Sequence, residues 1–331
     1  MPIEAHTISL KAAVLEAISE EMEADERVFL MGEDIGAAGG VFKQTDGLFA
    51  RFGAARVIDT PISEAAIFGL AVGAAMTGLR PIVEIMFGDF ITLVMDQLVN
   101  QAAKVHYMSA GGYSVPLVLK TGMGVGGNLG PQHSQSLHAW LAHIPGLKVV
   151  MPASPADAKG LFKAAIRDNN PVIFAEDRMS YNRTGPVPAG EHLVPLGQAD
   201  IKRQGTDLTI VAISRMVHTA LTAAEALADK NIHAEVVDLR CLAPLDMNTV
   251  LAAVQKTGRA RVLEGGCLTF GITGEIAAAI GEAAFDYLDA PVMRLAAPDH
   301  PIPYSPALEP LVVPGADQIV AKVDAMLGLA G

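Results

Sequence analysis

Apolar and polar residues recur at helical spacing over residues 8–22, and residues 27–31 read as the first core strand. At its carboxyl end lies a flexible, acidic stretch, Gly32-Glu33-Asp34-Ile35-Gly36-Ala37-Ala38-Gly39-Gly40. A short helical piece at 47–52 leads to a strand ending at Asp59. Pro61 and Ser63 then make a turn and a helix cap, with Glu64 as a first-turn carboxylate. Residues 65–79 carry no charge, which predicts a helix buried from end to end. Gly69 and Gly73 leave one side of it open to close approach by another backbone. Gly78 ends that helix, and the next strand, 82–87, is apolar except for Glu84. A further helix is predicted over 93–107 and a strand over 115–120. This order of strand, loop, helix and strand belongs to an open α/β sheet, in which ligands bind at the carboxyl ends of the strands.

A strand at 148–151, a helix at 155–167 capped by Ser154 and a strand at 172–176 complete the first half. Periodicity then fails, and Pro186, Pro188 and Pro195 mark residues 181–205 as an interdomain linker. From Thr206 the alternation is cleaner: strands at 208–213, 233–238, 261–263 and 291–295 are separated by helices at 217–228, 246–254 and 272–284. The expected fold class is α/β, with two three-layer α/β/α domains on mostly parallel sheets, at residues 1–180 and 206–331.

Composition narrows the class of activity. Of the 331 residues, 51% are hydrophobic and 18% charged, enough apolar side chain for two cores. A formal net charge of −12 removes the basic excess that a nucleic-acid or anionic-membrane binder needs. The first residues are acidic and amphipathic, so no signal peptide is expected, and the uncharged run is shorter than the ~20 residues of a membrane span. Cys241 and Cys267 make neither a metal nor a disulfide framework, which points to a reducing cytoplasm.

The candidate chemistry gathers at a few positions. The helix dipole favours Glu64 in any protein, but at the head of an apolar helix it also faces a crowded interior or an interface, where burial would raise its pKa and it can share a proton with a ligand nitrogen. Gly122, Gly124 and Gly127 satisfy GxGxxG, yet Pro131 interrupts the helix that would hold a phosphate and no acidic residue follows at ribose distance. A nicotinamide-dinucleotide site is therefore not expected. His133, His138 and His143 recur every five residues, a rotation of about 140° per step on a helix, so they do not share a face for a metal. His133, in a glycine-rich loop at an expected helix start, is the histidine best placed for catalysis, against the plainer reading of a polar loop residue bonded to backbone. His138 and His143 read as surface or partly packed residues.

The stretches GEDIGAAGGVFK (32–43), RVIDTPISE (56–64), GLRPIVEIMFGDF, QHSQS, IPGLKVVMPASPADAKGLF and VVDLRCLAPLD together resemble one known family. It is the β subunit of thiamine-diphosphate-dependent 2-oxo acid and acetoin dehydrogenases. The resemblance runs nearly the whole chain and implies a transketolase-like pyrimidine-binding domain, a transketolase C-terminal domain and an α2β2 heterotetramer with a separate α subunit. It further implies that Glu64 bonds N1′ of the cofactor's aminopyrimidine, Phe90 stacks on that ring, Met86 is a neighbouring apolar contact, and His133 assists acyl transfer to a lipoyl group. Asp168 and Asn170 match a structural monovalent-cation (K+) site; as residues, they equally suit a helix-end turn. The family's Mg2+-binding Gly-Asp-Gly is absent from this chain, which assigns the diphosphate half and its Mg2+ to the α subunit. Where many relatives have a histidine before the glutamate of the second domain, this chain has Leu263-Glu264, which bears on docking to the lipoyl acyltransferase E2. The wording is nearer to acetoin enzymes than to those acting on pyruvate or branched 2-oxo acids. A non-catalytic scaffold on the same fold is the reading from a different class.

Overall fold

The computed structural model describes residues 5–327. These form two compact units: the first takes residues up to Met123 together with Trp140–Leu196, the second takes Gly124–Ala139 and the residues from Gly197 on.

In the first unit, β1 (Ala5–Ser9) runs into α1 (Leu10–Ala24), whose first turn is capped by the Ser9 side chain. There follow β2 (Val28–Gly32), α2 (Leu48–Phe52), β3 (Val57–Asp59), α3 (Glu64–Met76), β4 (Arg80–Phe87), α4 (Val105–Met108) and β5 (Val118–Met123). After α5 (His138–Ala142) come β6 (Lys148–Val150), α6 (Pro155–Arg167), β7 (Val172–Asp177) and β8 (Thr184–Pro188). In this unit the sheet strands run β6-β7-β5-β4-β2-β3, each parallel to its neighbours. Its strands are near-continuous apolar runs because both faces are covered. The Pro-rich stretch is not a bare linker: β8 pairs antiparallel with β1, putting its prolines on a short two-stranded ribbon.

The second unit holds β9 (Asp200–Arg203), β10 (Leu208–Ala212), α7 (Arg215–Ala228), β11 (Ala234–Asp238), β12 (Cys241–Ala243), α8 (Met247–Thr257), β13 (Ala260–Cys267), α9 (Ile272–Ala283), β14 (Met293–Ala297) and α10 (Ala316–Met326). Its sheet order is β14-β13-β10-β11-β9, parallel except for the edge strand β9. Each unit is thus an α/β fold on a mostly parallel sheet, as the alternation of patterns requires.

Two elements depart from expectation. The helix predicted over 93–107 is a tight 3-10 stretch, Gly88–Val94, followed by a wide π-type stretch, Asp96–Ala102, and then α4. Ile91, Val94, Leu98 and Ala102 are all buried, and their spacing of three, four and four residues is met by overwinding first and underwinding later. The second departure is α3. Its Ile67, Phe68, Ala71, Val72 and Ala75 are buried, but Ala65, Ala66, Leu70 and Gly73 are exposed, so the uncharged helix is covered on one side only. A Cβ at Gly73 would meet nothing within 4 Å. Ser63 holds the N-cap position without a side-chain capping bond.

Candidate active site

The parallel strands β2, β3 and β4 end at one edge of the sheet, and Glu64 opens α3 just after the end of β3. Thr60 N–H donates to the Gly32 carbonyl at 3.0 Å and Gly36 N–H donates to Asp59 Oδ1 at 2.7 Å, which ties the acidic loop to the strand end before α3. Gly36 is required by that closeness, since a Cβ there would lie 2.3 Å from Asp59 Oδ2. Glu64 is half-buried at the first position of α3, not fully buried as its apolar helix suggests. Burial first, then the charges of Glu64 and Asp34, raise the Glu33 carboxyl above its ordinary value. Glu33 Oε1 and Thr60 Oγ1 are both buried without a hydrogen-bond partner in the chain. Sequence reasoning noted Glu33 only as part of an acidic loop; the available signal was its place at a strand end ahead of a second carboxylate.

Met86 sits at an irregularity in the pairing of β4 with β5, where the register slips between Ile85 and Phe87. Such a bulge redirects a side chain at a strand end, and Met86 and Phe87 become half-buried after five buried residues of β4. Phe90 follows in the 3-10 stretch, its ring edge-on to Phe87 with centroids 5.7 Å apart. Glu64, Met86 and Phe90 therefore belong to one unit and lie on elements that begin or end at the same edge of the sheet.

Beneath this edge lies a charged cluster that the sequence shows only as two intrusions into apolar strands. Glu84 and Lys120 are in register on β4 and β5, and Lys120 Nζ reaches Glu84 Oε2 at 2.9 Å, Gln44 Oε1 at 2.8 Å and Glu176 Oε2 at 3.4 Å. Gln44 Nε2 donates to Glu176 Oε1 at 2.8 Å. Burial lowers the Lys120 pKa, but the two carboxylates outweigh it and hold the ammonium charged; burial raises Glu176. Gln44 lies just past the acidic loop, so this cluster pins that loop to the sheet. Taking three ionisable groups out of water is tolerable only because each is paired.

The other predicted residues lie elsewhere. Asp168 and Asn170 are at the opposite, amino edge of the first sheet, where α6 turns into β7. Asp168 Oδ1 accepts from the backbone N–H and the Nδ2 of Asn170 at 2.8 and 2.9 Å, and its other oxygen pairs with Lys148. The Asp168 carbonyl accepts from Arg80 at 3.0 Å. Both oxygens of the Asp168 carboxylate are thus engaged within the turn, by Asn170 and by Lys148. His133 belongs to the second unit; it lies in a turn five residues ahead of α5, not at a helix start, and is half-buried. His143 is exposed, whereas His138 is not a surface residue: it is 2% exposed and 2.8 Å from Glu264 Oε2. Among the described residues, no group of three or more His, Cys, Asp or Glu side chains is placed to hold a metal ion.

Comparison with known proteins identifies the class and then the family. Residues 6–184 match the transketolase pyrimidine-binding domain and residues 197–319 the transketolase C-terminal domain, which makes this a two-domain protein of the transketolase type. In keeping with that, a solved split-gene transketolase, described as an inactive beta4 tetramer, superposes with a TM-score of 0.77 over 98% of this chain and 99% of its own, at 22% identity. The chain is 46% identical to the acetoin:2,6-dichlorophenolindophenol oxidoreductase β subunit of Bacillus subtilis, over 98% of both chains. It is 47% identical to a mitochondrial pyruvate dehydrogenase E1 β subunit of rice over 96% of this chain and 85% of that one, and 46% identical to the 2-oxoisovalerate dehydrogenase β subunit of B. subtilis over 93% and 94%. The chain belongs to the family of acetoin and 2-oxo acid dehydrogenase E1 β subunits and is an enzyme subunit.

Membership implies thiamine diphosphate, and the residues present fit its pyrimidine half. The orphaned oxygens of Glu33 and Thr60 follow β2 and β3 at the carboxyl edge of the sheet, the edge at which α3 begins with Glu64 and β4 ends near Met86 and Phe90. A flat heterocycle with ring nitrogens and an amino group would occupy both kinds of surface.

Proposed function

We propose that this chain is the β half of a thiamine-diphosphate enzyme that cleaves acetoin and passes the acetyl unit to lipoamide. It works in the cytoplasm with a separate α subunit in an α2β2 assembly that contains a second copy of this chain and delivers to a lipoyl acyltransferase (E2). The observation that carries the reading is Glu64 at the head of α3, on the strand ends it shares with the buried, unpartnered oxygens of Glu33 and Thr60. Glu64 holds the N1′ nitrogen and shares a proton with it; burial and the charges of Glu64 and Asp34 raise the neighbouring Glu33 carboxyl above its ordinary value. Phe90 and Met86 supply the apolar walls that orient the ring and exclude water. When bound, thiamine diphosphate supplies the electron sink for breaking the C–C bond. His133 assists the transfer to the lipoyl group. Mg2+ and the diphosphate fall to the α subunit, since the Gly-Asp-Gly that would hold them is absent here. A structural K+ is assigned to the Asp168–Asn170 turn, where it would have to compete with Lys148 for the Asp168 carboxylate.

Oxidative decarboxylation of pyruvate or a branched 2-oxo acid is the second reading, favoured by equal identity to those β subunits. Pocket differences of a methyl group give only ~1–3 kcal/mol of discrimination, so turnover decides. Reconstituted with its α subunit, the enzyme is expected to turn over acetoin in preference to pyruvate and 2-oxoisovalerate; the reverse order replaces the substrate. Glu64→Gln is expected to lower turnover by about 10²–10⁴-fold in the same assay. Unchanged turnover removes Glu64 from the mechanism.

A further inference from the structure

The segment that bears His133 is held by the second unit at several separate points. Arg215 Nη1 donates to the Val125 carbonyl at 3.3 Å, Glu309 Oε2 accepts from the Asn128 N–H at 2.9 Å, and Tyr304 lies so close to Gly130 that a Cβ there would be 2.1 Å from its ring. The far end of the segment is fixed by a buried pair: His138 Nε2 donates to Glu264 Oε2 at 2.8 Å, with side chains 2% and 1% exposed. Glu264 Oε1 in turn accepts the Thr273 N–H at 3.0 Å, in the first turn of α9, where helix donors hold a carboxylate. His138 Nδ1 is buried without a partner. The imidazole therefore carries its proton on Nε2, because a proton on Nδ1 would be a buried donor with nothing to accept it.

The backbone of the second unit is shaped around this pair. Gly266 and Gly271 flank it, and a Cβ would come within 2.9 Å of Glu264 Oε2 at the first and 2.2 Å of Oε1 at the second. A Cβ at Gly266 would also be 3.1 Å from His138 Cε1. Between His133 and His138 the chain has little slack: Ser134 and Leu137 are buried, and the Gln135 carbonyl accepts the Gly124 N–H at 3.2 Å, closing the loop across its base. A shift of His138 must therefore be passed along a short, pinned segment to His133.

We propose that His138, through its bond to Glu264, is a positioning residue that sets the place of His133 for acyl transfer. The proposal rests on the reading of His133 given above and names the group that orients it. No part of the pair touches substrate; it acts on the geometry of the next step. Misplacement of a reacting group by about 1 Å costs on the order of 10²-fold in rate.

The test uses the complete α2β2 enzyme and measures two activities on one substrate, acyl transfer to a free lipoyl domain and oxidation with dichlorophenolindophenol as acceptor. The informative quantity is their ratio, which a general loss of fold or of cofactor does not move. His138→Ala is expected to lower the ratio of lipoyl transfer to dye reduction by about 10–100-fold. His138→Gln, whose amide can donate to Glu264, is expected to recover most of it. In the His133→Ala background, His138→Ala is expected to add nothing further, because the two act as one unit. Glu264→Gln serves where His138→Ala fails to assemble, with the same direction expected. An unchanged ratio, an equal fall in both activities, or additive losses in the double variant overturns the positioning role. A His133→Ala enzyme with an unaltered ratio instead overturns the role of His133 itself, and with it the proposal.

Discussion

At the scale of single residues, Lys120 and Arg261 show two ways of burying a cation inside a sheet, with partners and without. Lys120 is fully buried among Glu84, Glu176 and Gln44. Arg261 is equally buried, 0% exposed on β13, yet none of its three guanidinium nitrogens has a hydrogen-bond partner. It lies in register between Ile210 and Met293, apolar residues of the adjacent strands, and burial pulls its pKa down to about 10. Replacing a buried, uncompensated charge with an apolar side chain of similar length is expected to stabilise by about 1–4 kcal/mol. Arg261→Met should raise the urea midpoint of the chain; a lower midpoint would show that the guanidinium is satisfied in solution.

At the scale of elements, α1 and α6 are joined by an ionic seam. Lys159 meets Glu16 and Glu20, Lys163 meets Glu20 and Glu191, and Arg167 meets Glu21 and Glu191. Lys159 and Lys163 are almost fully covered, whereas Glu191 is mostly exposed. The Arg167 and Lys163 bonds hold the Glu191 carboxyl down at about 2, and Lys159 and His6 outweigh burial to keep Glu16 below its ordinary value. For carboxyls whose folded pKa is depressed, the stabilisation is present above the unfolded value near 4.5 and is lost as pH falls toward 2. Denaturant midpoints are expected to fall steadily between pH 5 and pH 3, roughly the window set by these shifts, and Glu191→Gln should flatten that slope. Lys159→Ala, which removes two charge-assisted hydrogen bonds, is expected to cost about 1.5–3 kcal/mol at neutral pH. A pH-independent midpoint in the unsubstituted chain would remove the seam from the stability of the first unit.

At the scale of the molecule, α3 is the element left incomplete. Its exposed side presents Ile62 just before the helix, 81% exposed, and Leu70, 67% exposed, around the open Gly73. An apolar helix face without charge is costly in water and suits burial against another chain. Leu70→Glu is therefore expected to leave the isolated chain folded, by circular dichroism, while preventing its co-purification with the α subunit. Retained assembly would show that this face stays open in the complex. The proposed split of the cofactor between two subunits makes a matching expectation: calorimetric titration of thiamine diphosphate with Mg2+ should give tight binding to the co-expressed α and β chains and weak binding to this chain alone. Tight binding to the single chain would reveal a diphosphate site within it.

Much of this was legible from local pattern. The parallel strands, α6 with its Ser154 cap, and the carboxylate at the head of α3 follow from periods of about two and 3.6 residues and from cap chemistry, which act over a few neighbours. The family was legible too, because its motifs are contiguous stretches. What the pattern could not decide was pairing across the fold. Glu84 and Lys120 look like flaws in two strands until register sets them side by side. His138 reads as a surface or partly packed residue until Glu264, 126 positions away, meets it in the second unit. The uncharged helix reads as buried all round, but which side finds cover depends on the layers packed against it, and within one chain only one side does. Local periodicity specifies which elements form, whereas only tertiary packing decides which buried polar group meets its partner, since that partner is remote in sequence and the cost of leaving it unmet is paid only in the folded core.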